Sequence, residues 1–198
     1  DNPMIIKVAS LPSAKMQVYF VDNEDYFQRK DYLRDEDGTF FEDNDERTIF
    51  FNKGAIEILL KLGWEPDIIH CHGWMTGLIP LYARSVYKNE PAFKNSKFLF
   101  TIYENSFQEE LGNEFMKKAH LNGKASDVKD LLKNPSCNEL HKTGSKYADA
   151  VSFGSENVDP EVKSYVQELN KPLLNYVNTD GDQFAEGYMN FYNQILDE

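Results

Sequence analysis

The sequence has 198 residues, 41% of them hydrophobic and 14% aromatic, which is enough to bury one sizeable core but hardly two. Acidic residues outnumber basic ones by 33 to 21, and the formal charge of −12 disfavours binding to nucleic acid or to an anionic membrane surface. Cys71 and Cys137 lie far apart, so we expect free thiols and a cytoplasmic protein.

The first part of the chain predicts a hairpin, a loop and a long helix. The segments "PMIIKVAS" and "KMQVYFVDN" alternate apolar and polar residues, which is typical of an exposed hairpin. The acidic run "RDEDGTFFEDNDER" that follows predicts a solvated loop. From Asn44 to Leu62 the apolar residues recur at helical spacing, with Asp43 or Asn44 placed to cap the start and Gly63 placed to close the end.

The rest of the chain alternates short apolar runs with helical patterns. Strands are predicted at 67–71, 97–102, 150–153 and 172–176, and helices at 74–87, 157–169 and 184–196, with a broken helical region at 107–147. This order predicts a single Rossmann-like domain over residues 1–198, an α/β fold with a doubly wound, mostly parallel sheet. Ligands of such sheets bind at the carboxyl ends of the strands, where "HCHGWM" and "YEN" both fall.

The segment "PDIIHCHGW" places His70 and His72 on one face of a strand and Cys71 on the other. A zinc site needs three or four protein ligands, and His120 and His141 fall in polar segments elsewhere, so we expect no metal. The simpler interpretation is that His70 is a hydrogen-bonded polar residue at a strand end. A nucleophilic Cys–His pair is also disfavoured, because no cationic partner for Cys71 is evident. The usual glycine-rich motifs for dinucleotides and nucleoside triphosphates, and GxSxG, do not occur.

Several longer segments resemble the bacterial glycogen and plant starch synthase family. The stretch from "VYFVDNEDYFQRKDYL" to "PDIIHCHGWMTGLIPLY" is similar to the family's Asp-Asn-x-x-Arg helix start and its Pro-Asp-(Ile/Val)-(Ile/Val)-His-x-His-Asp-Trp-His signature. "KFLFTIYENSFQ" and "SKYADAVSFGSENVDPEV" resemble two later segments, so that the likeness covers roughly 15–161. The resemblance implies the amino-terminal Rossmann-like half of a GT-B glycosyltransferase, of a kind that moves glucose from a nucleotide sugar to an α-1,4-glucan.

The chain departs from the family pattern at four positions. Gly73 replaces the family aspartate, Met75 the histidine after tryptophan, and Tyr103 and Glu104 the His-Asn pair that ends a strand. In the family these positions line the cleft, and losing such polar groups typically removes a few kcal/mol of transition-state stabilisation each. Glu104 would also repel a nucleotide diphosphate, so binding of a nucleotide sugar is disfavoured. We therefore assign no catalytic residue and expect no cofactor.

The resemblance also implies parts that this sequence does not display. The family's Lys-x-Gly-Gly loop and first strands would precede Asp1, where the sequence opens without an initiator methionine, as a fragment would. The family's nucleotide-binding carboxy-terminal half is replaced by "KPLLNYVNTDGDQFAEGYMNFYNQILDE", which predicts a strand and an amphipathic helix. On these grounds we expect a solitary half-enzyme.

Three functional interpretations follow from the resemblance. The first is a catalytically impaired module with a glucan-binding or regulatory role, in which an α-glucan or maltooligosaccharide contacts His70, His72, Trp74, Tyr103 and Asn105. The aromatic rings of Trp74, Tyr82, Tyr103 and Phe107 are candidates to stack on pyranose rings, although each is more often a core residue. The alternatives are an active glucosyltransferase whose partner protein supplies the second domain, and a non-enzymatic interaction subunit.

Overall fold

The computed structural model describes residues 3–179 and 182–197. Asp1, Asn2, the pair 180–181 and Glu198, which the predicted domain includes, lie outside the described residues. The strands are β1 (Ile5–Leu11), β2 (Met16–Asp22), β3 (Ile68–His72), β4 (Lys97–Ile102), β5 (Ala150–Phe153) and β6 (Leu173–Leu174). The α-helices are α1 (Glu24–Phe27), α2 (Asn44–Leu62), α3 (Ile79–Arg84), α4 (Pro91–Lys94), α5 (Phe115–Lys118), α6 (Cys137–Tyr147), α7 (Pro160–Glu168) and α8 (Asp182–Asp197).

The strands form two sheets. β1 and β2 pair as the predicted antiparallel hairpin, and β3, β4, β5 and β6 form a parallel sheet in that order. The α/β fold with a parallel sheet is confirmed. Among the described strands the order is sequential, so the change of direction that marks a doubly wound sheet does not occur within these four strands.

The two faces of the parallel sheet are covered by different helices. Phe98 and Phe100 of β4 belong to the main core, together with side chains of α2, α3, α6 and α7. Leu99 lies between them in the strand and packs with Ala150 against Tyr188, Phe191 and Ile195 of α8. Because alternate residues of a strand point to opposite faces, α8 covers the face opposite the main core.

The long helix α2 has the predicted bounds. Gly63 adopts φ 59° and ψ 30° after its last turn, a left-handed conformation that glycine adopts at low cost, and its N–H donates to the carbonyl groups of Leu59 and Leu60. At the other end the prediction of a solvated loop is wrong for 44–47, because Asn44, Asp45 and Arg47 are buried. The guanidinium of Arg47 donates hydrogen bonds to the carbonyl oxygens of Tyr26 and Tyr32, at 2.9 and 2.8 Å.

Two predicted elements are shorter than the sequence pattern indicated. The helix predicted at 74–87 consists of a 3₁₀ turn, Trp74–Thr76, followed by α3, which starts near Pro80 because proline fits the first turn of a helix. The strand predicted at 172–176 is reduced to the two residues of β6. Neither difference moves the carboxyl ends of β3, β4 and β5, which define the candidate site.

No helix in the described ranges 3–179 and 182–197 has the length and the hydropathy that crossing a membrane requires.

Candidate functional site

The carboxyl ends of the three longer parallel strands lie side by side. His72 of β3 pairs in register with Thr101 of β4, and Ile102 pairs with Phe153 of β5. The next residues along the three strands are Gly73, Tyr103 and Gly154. We call the surface formed by these three residues and His72 the crevice.

The two histidines of β3 share one face of the sheet, as predicted from the period of a strand. Their ring centroids lie 3.9 Å apart. Cys71 points to the opposite face and is buried in the main core. Burial raises the pKa of the Cys71 thiol to about 12, so the thiol is protonated and unreactive at neutral pH.

A hydrogen-bonded chain of side chains runs beneath the crevice. Nε2 of His70 lies 2.6 Å from the hydroxyl of Thr101, which lies 2.5 Å from the hydroxyl of Ser152. Two tyrosines of α8 complete the chain, because Tyr188 donates to Ser152 at 3.4 Å and the hydroxyl of Tyr192 lies 2.6 Å from Nδ1 of His70. Both ring nitrogens of His70 are therefore occupied, which leaves it with no free position for a ligand.

The hydrogen-bond partners of His70 in this network were not predicted from the sequence. Thr101 and Ser152 each interrupt an otherwise apolar strand, in "FLFTI" and "AVSF", and pair in register. Two polar residues at matching positions of neighbouring buried strands were a usable signal. No local pattern could have paired the tyrosines of α8 with His70.

The imidazoles and the phenol at this edge are neutral at physiological pH. Burial, and secondarily the neighbouring His72, lowers the pKa of His70 to about 3, and burial also lowers the pKa of His72. Burial raises the pKa of Tyr103, with smaller contributions from Tyr188 and Tyr192. The crevice therefore offers neutral hydrogen-bonding groups and no charge with which to bind phosphate.

Tyr103 contacts both His72 and Gly73 in the crevice. Its hydroxyl lies 2.9 Å from Nδ1 of His72, and the two rings lie end to end, with a centroid distance of 6.2 Å and an interplanar angle of 30°. A Cβ atom placed on Gly73 would lie 3.6 Å from the Tyr103 ring, so the two residues meet at one edge of the sheet, as predicted. Tyr103 is 36% exposed. An aromatic ring next to a neutral imidazole can stack on a sugar and hydrogen-bond to its hydroxyl groups.

The other aromatic candidates are buried. Trp74 is 4% exposed, and its ring lies 4.8 Å from Phe107 and 6.0 Å from Tyr32, measured between centroids. Phe107 is in the main core, and Tyr82 is also buried and donates its hydroxyl to the carbonyl of Ala119. These rings stabilise the core, and none of them presents a face to solvent.

The remaining predicted positions surround the crevice without joining it. The sulfur of Met75 accepts a hydrogen bond from Tyr32 at 3.3 Å. The amide nitrogen of Asn105 donates to Asn138 at the start of α6, and its buried Oδ1 has no partner in the described ranges. Glu104 is exposed, and its backbone N–H donates to Ser155.

An apolar cavity lies between β2, α2 and β3. Its volume is about 300 Å³, and its lining includes Val21, Ile58, Leu59 and Ile69. Because this lining is almost entirely apolar, the cavity is less suited to a polyhydroxylated ligand than the crevice.

No group of three or more His, Cys, Asp or Glu side chains within 3–179 and 182–197 is arranged to hold a metal ion. His70 and His72 are stacked on each other and hydrogen-bonded to tyrosine and threonine hydroxyl groups, an arrangement that differs from a shared metal site.

Known proteins match this chain in sequence. The glycogen synthase of Chlorobium phaeobacteroides is 35% identical over 179 residues, covering 90% of this chain and 33% of the relative. The glycogen synthase of Chlorobaculum tepidum is 39% identical over 164 residues, covering 79% of this chain and 33% of the relative. The chain thus spans about a third of the length of these curated relatives.

A solved structure matches the fold. The catalytic domain of starch synthase IV from Arabidopsis thaliana, bound to ADP and acarbose, superposes with a TM-score of 0.64 at 18% identity, covering 88% of this chain and 37% of that one. This similarity confirms the predicted equivalence to the amino-terminal half of a GT-B glycosyltransferase.

A family model described as the starch synthase catalytic domain matches residues 2–175. Because this match covers most of the sequence, the chain belongs to the starch synthase catalytic domain family, as its sequence motifs predicted.

Proposed function

We propose that this domain binds α-1,4-glucan at the crevice and does not itself carry out glucosyl transfer. The observation that carries the proposal is the pairing of an exposed Tyr103 ring with the neutral imidazole of His72 at the carboxyl edge of the sheet. Family membership supports the choice of ligand, and so does the fact that the matching starch synthase IV domain was solved with acarbose, an α-glucan analogue.

The loss of transfer chemistry follows from the residues of the crevice. Retaining glucosyl transfer requires the donor phosphates to be neutralised. It also requires charge to be stabilised as the bond between glucose and the nucleotide diphosphate breaks. Gly73 and Tyr103 carry no charge, and Glu104 is exposed near the same strand end with the wrong sign for a diphosphate. Met75, at the fourth altered family position, is turned toward Tyr32.

Two buried, free cysteines support the expected reducing compartment, the cytoplasm.

Calorimetric titration with maltoheptaose tests the binding. We expect weak binding, with a dissociation constant on the order of 1 mM, that His72→Ala weakens at least fivefold. The matched control is His120→Ala, since this exposed imidazole contacts Lys53 rather than the crevice. Absence of binding by the unaltered chain, or equal affinities for the two variants, would contradict the proposal.

Incorporation of radiolabelled glucose into glycogen tests the absence of transfer. With ADP-glucose or UDP-glucose as donor, we expect the chain to give no incorporation above a blank without protein. Incorporation that His72→Ala abolishes would show that the crevice is catalytically competent. Incorporation only after addition of a second protein would favour the alternative in which a partner supplies the missing groups.

A further inference from the structure

Tyr103 stands between two glycines at the carboxyl edge of the sheet. Gly73 follows β3 and Gly154 follows β5, and their N–H groups donate to the carbonyl oxygens of Thr101 and Ile102 at 2.9 and 2.8 Å. These backbone bonds continue the strand pairing by one residue. The ring of Tyr103 is thus flanked on both sides by positions that lack a side chain.

The space above Gly154 is filled by the Tyr103 ring. A Cβ atom at position 154 would lie 2.7 Å from Cγ2 of Thr101 and 2.8 Å from Cζ of Tyr103, and still closer to Cε1 of the same ring. Contacts this short do not occur for real Cβ atoms, so any side chain at position 154 would force the ring to move. Gly73 has φ +72°, a conformation that glycine adopts at low cost, and a Cβ there would be in ordinary contact with the ring.

The hydroxyl of Tyr103 also occupies a hydrogen-bonding position that a ligand would use. Nδ1 of His72 lies 2.9 Å from this hydroxyl. The ring lies end-on to the His72 imidazole, with the two centroids 6.2 Å apart, and one edge of the ring packs against Gly154, while 36% of the residue is exposed. A ligand can therefore reach the outer face of the ring but not the strand ends beneath it.

We propose that Tyr103 is the specificity-determining residue of the crevice. Its ring prevents the end of a glucan chain from reaching the carboxyl ends of the strands, and its outer face contacts the side of the α-glucan chain. This inference rests on the proposed function, and it specifies which part of the glucan the crevice recognises. The crevice then binds internal glucose units and does not require a non-reducing end.

The test compares β-cyclodextrin, which has no chain ends, with maltoheptaose by calorimetric titration of the whole 198-residue chain. We expect the two dissociation constants to agree within threefold. Tyr103→Ala, which removes the aromatic surface, raises both dissociation constants at least fivefold. Binding of maltoheptaose without β-cyclodextrin, or unchanged dissociation constants for both sugars on Tyr103→Ala, would overturn the inference.

A double-mutant cycle separates failure of this inference from failure of the proposed function. Gly154→Ala lowers the urea midpoint because the new methyl group collides with the ring, and it lowers the midpoint less in a Tyr103→Ala background. Equal shifts in the two backgrounds would show that the ring does not fill this space, which overturns the inference. If the cycle shows coupling but neither sugar binds, the ring is correctly located and the proposed glucan binding is wrong. The inference is then wrong as well, because it rests on that binding.

Discussion

The hydroxyl of Tyr192 on α8 lies 2.6 Å from Nδ1 of His70 on β3, although 122 positions separate the two residues in the sequence. The contact joins the last helix to the first strand of the parallel sheet, on the face where Leu99 and Ala150 pack against α8. It also fixes the orientation of the His70 ring, on which the ring of His72 stacks. The position of α8 is therefore coupled to the geometry of the crevice.

Tyr192→Phe should destabilise the protein. The substitution keeps the ring and removes the partner of a largely buried imidazole nitrogen, which typically costs about 1–3 kcal/mol in free energy of unfolding. Tyr19→Phe is the matched control, because its hydroxyl donates to Gln17 at the surface and its loss should cost less than about 0.5 kcal/mol. Urea denaturation measures both, and equal values for the two variants would show that the contact with His70 contributes nothing.

Acid should destabilise the protein through His141. This buried residue is 1% exposed, its Nε2 has no partner in the described ranges, and burial lowers its pKa to about 4. Because the unfolded chain has the ordinary histidine pKa of about 6.5, it takes up the proton first as the pH falls. The free energy of unfolding therefore falls as the pH is lowered from about 6.5 to about 4. The contribution of this residue to that loss is roughly 3 kcal/mol.

Urea denaturation between pH 7 and pH 4 tests this linkage. His141→Leu should reduce the loss of stability over this range. His70, whose pKa is lowered to about 3, contributes in the same direction and accounts for part of the dependence that remains. An unchanged pH dependence in His141→Leu would contradict the assignment.

Two helical glycines should respond in opposite ways to alanine. A Cβ at Gly144 of α6 would lie 2.5, 2.6 and 2.8 Å from three ring atoms of Phe100, so Gly144→Ala should cost about 1–3 kcal/mol through overpacking. At Gly187 of α8 the nearest atom lies 3.5 Å away, so the better helix propensity of alanine should add up to about 1 kcal/mol. Thermal unfolding of both variants is the measurement, and stabilisation by Gly144→Ala would show that α6 is not held this close to β4.

Lys118 and Lys117 offer a second matched pair. The ammonium of Lys118 lies 2.7 Å from the carboxylate of Asp45, which is 4% exposed, while Lys117 pairs with Glu114 at the surface. Lys118→Met leaves a buried carboxylate without its cation and should cost about 2–4 kcal/mol, whereas Lys117→Met should cost less than about 0.5 kcal/mol. Similar denaturation midpoints for the two variants would contradict the pairing of α5 with α2.

Local periodicity accounts for the parts of the fold that were predictable. The apolar spacing of α2 and the glycine after it gave both ends of that helix, since both signals lie within one element. The alternation of a strand placed His70 and His72 together and Cys71 on the opposite face. The meeting of Gly73 and Tyr103 followed from the rule that parallel strands end at one edge.

Contacts between distant elements account for what the sequence did not reveal. Arg47 lies in a charged run that indicates a solvated loop, but it is buried because two backbone carbonyls from the preceding segment accept its hydrogen bonds. Trp74 follows the histidine signature directly, and only the packing of Phe107 and Tyr32 around it shows that it is a core residue. The hydrogen bond between Tyr192 and His70 likewise depends on how α8 folds back over the sheet.

The most direct test of the account is to map the glucan site by amide chemical shifts during a titration of ¹⁵N-labelled protein with maltoheptaose. We predict that the largest changes occur at His72, Gly73, Tyr103 and Gly154, at the carboxyl edge of the parallel sheet. Changes centred instead on the apolar cavity beside β3, or no changes at saturating sugar, would contradict the claim that the crevice binds α-glucan.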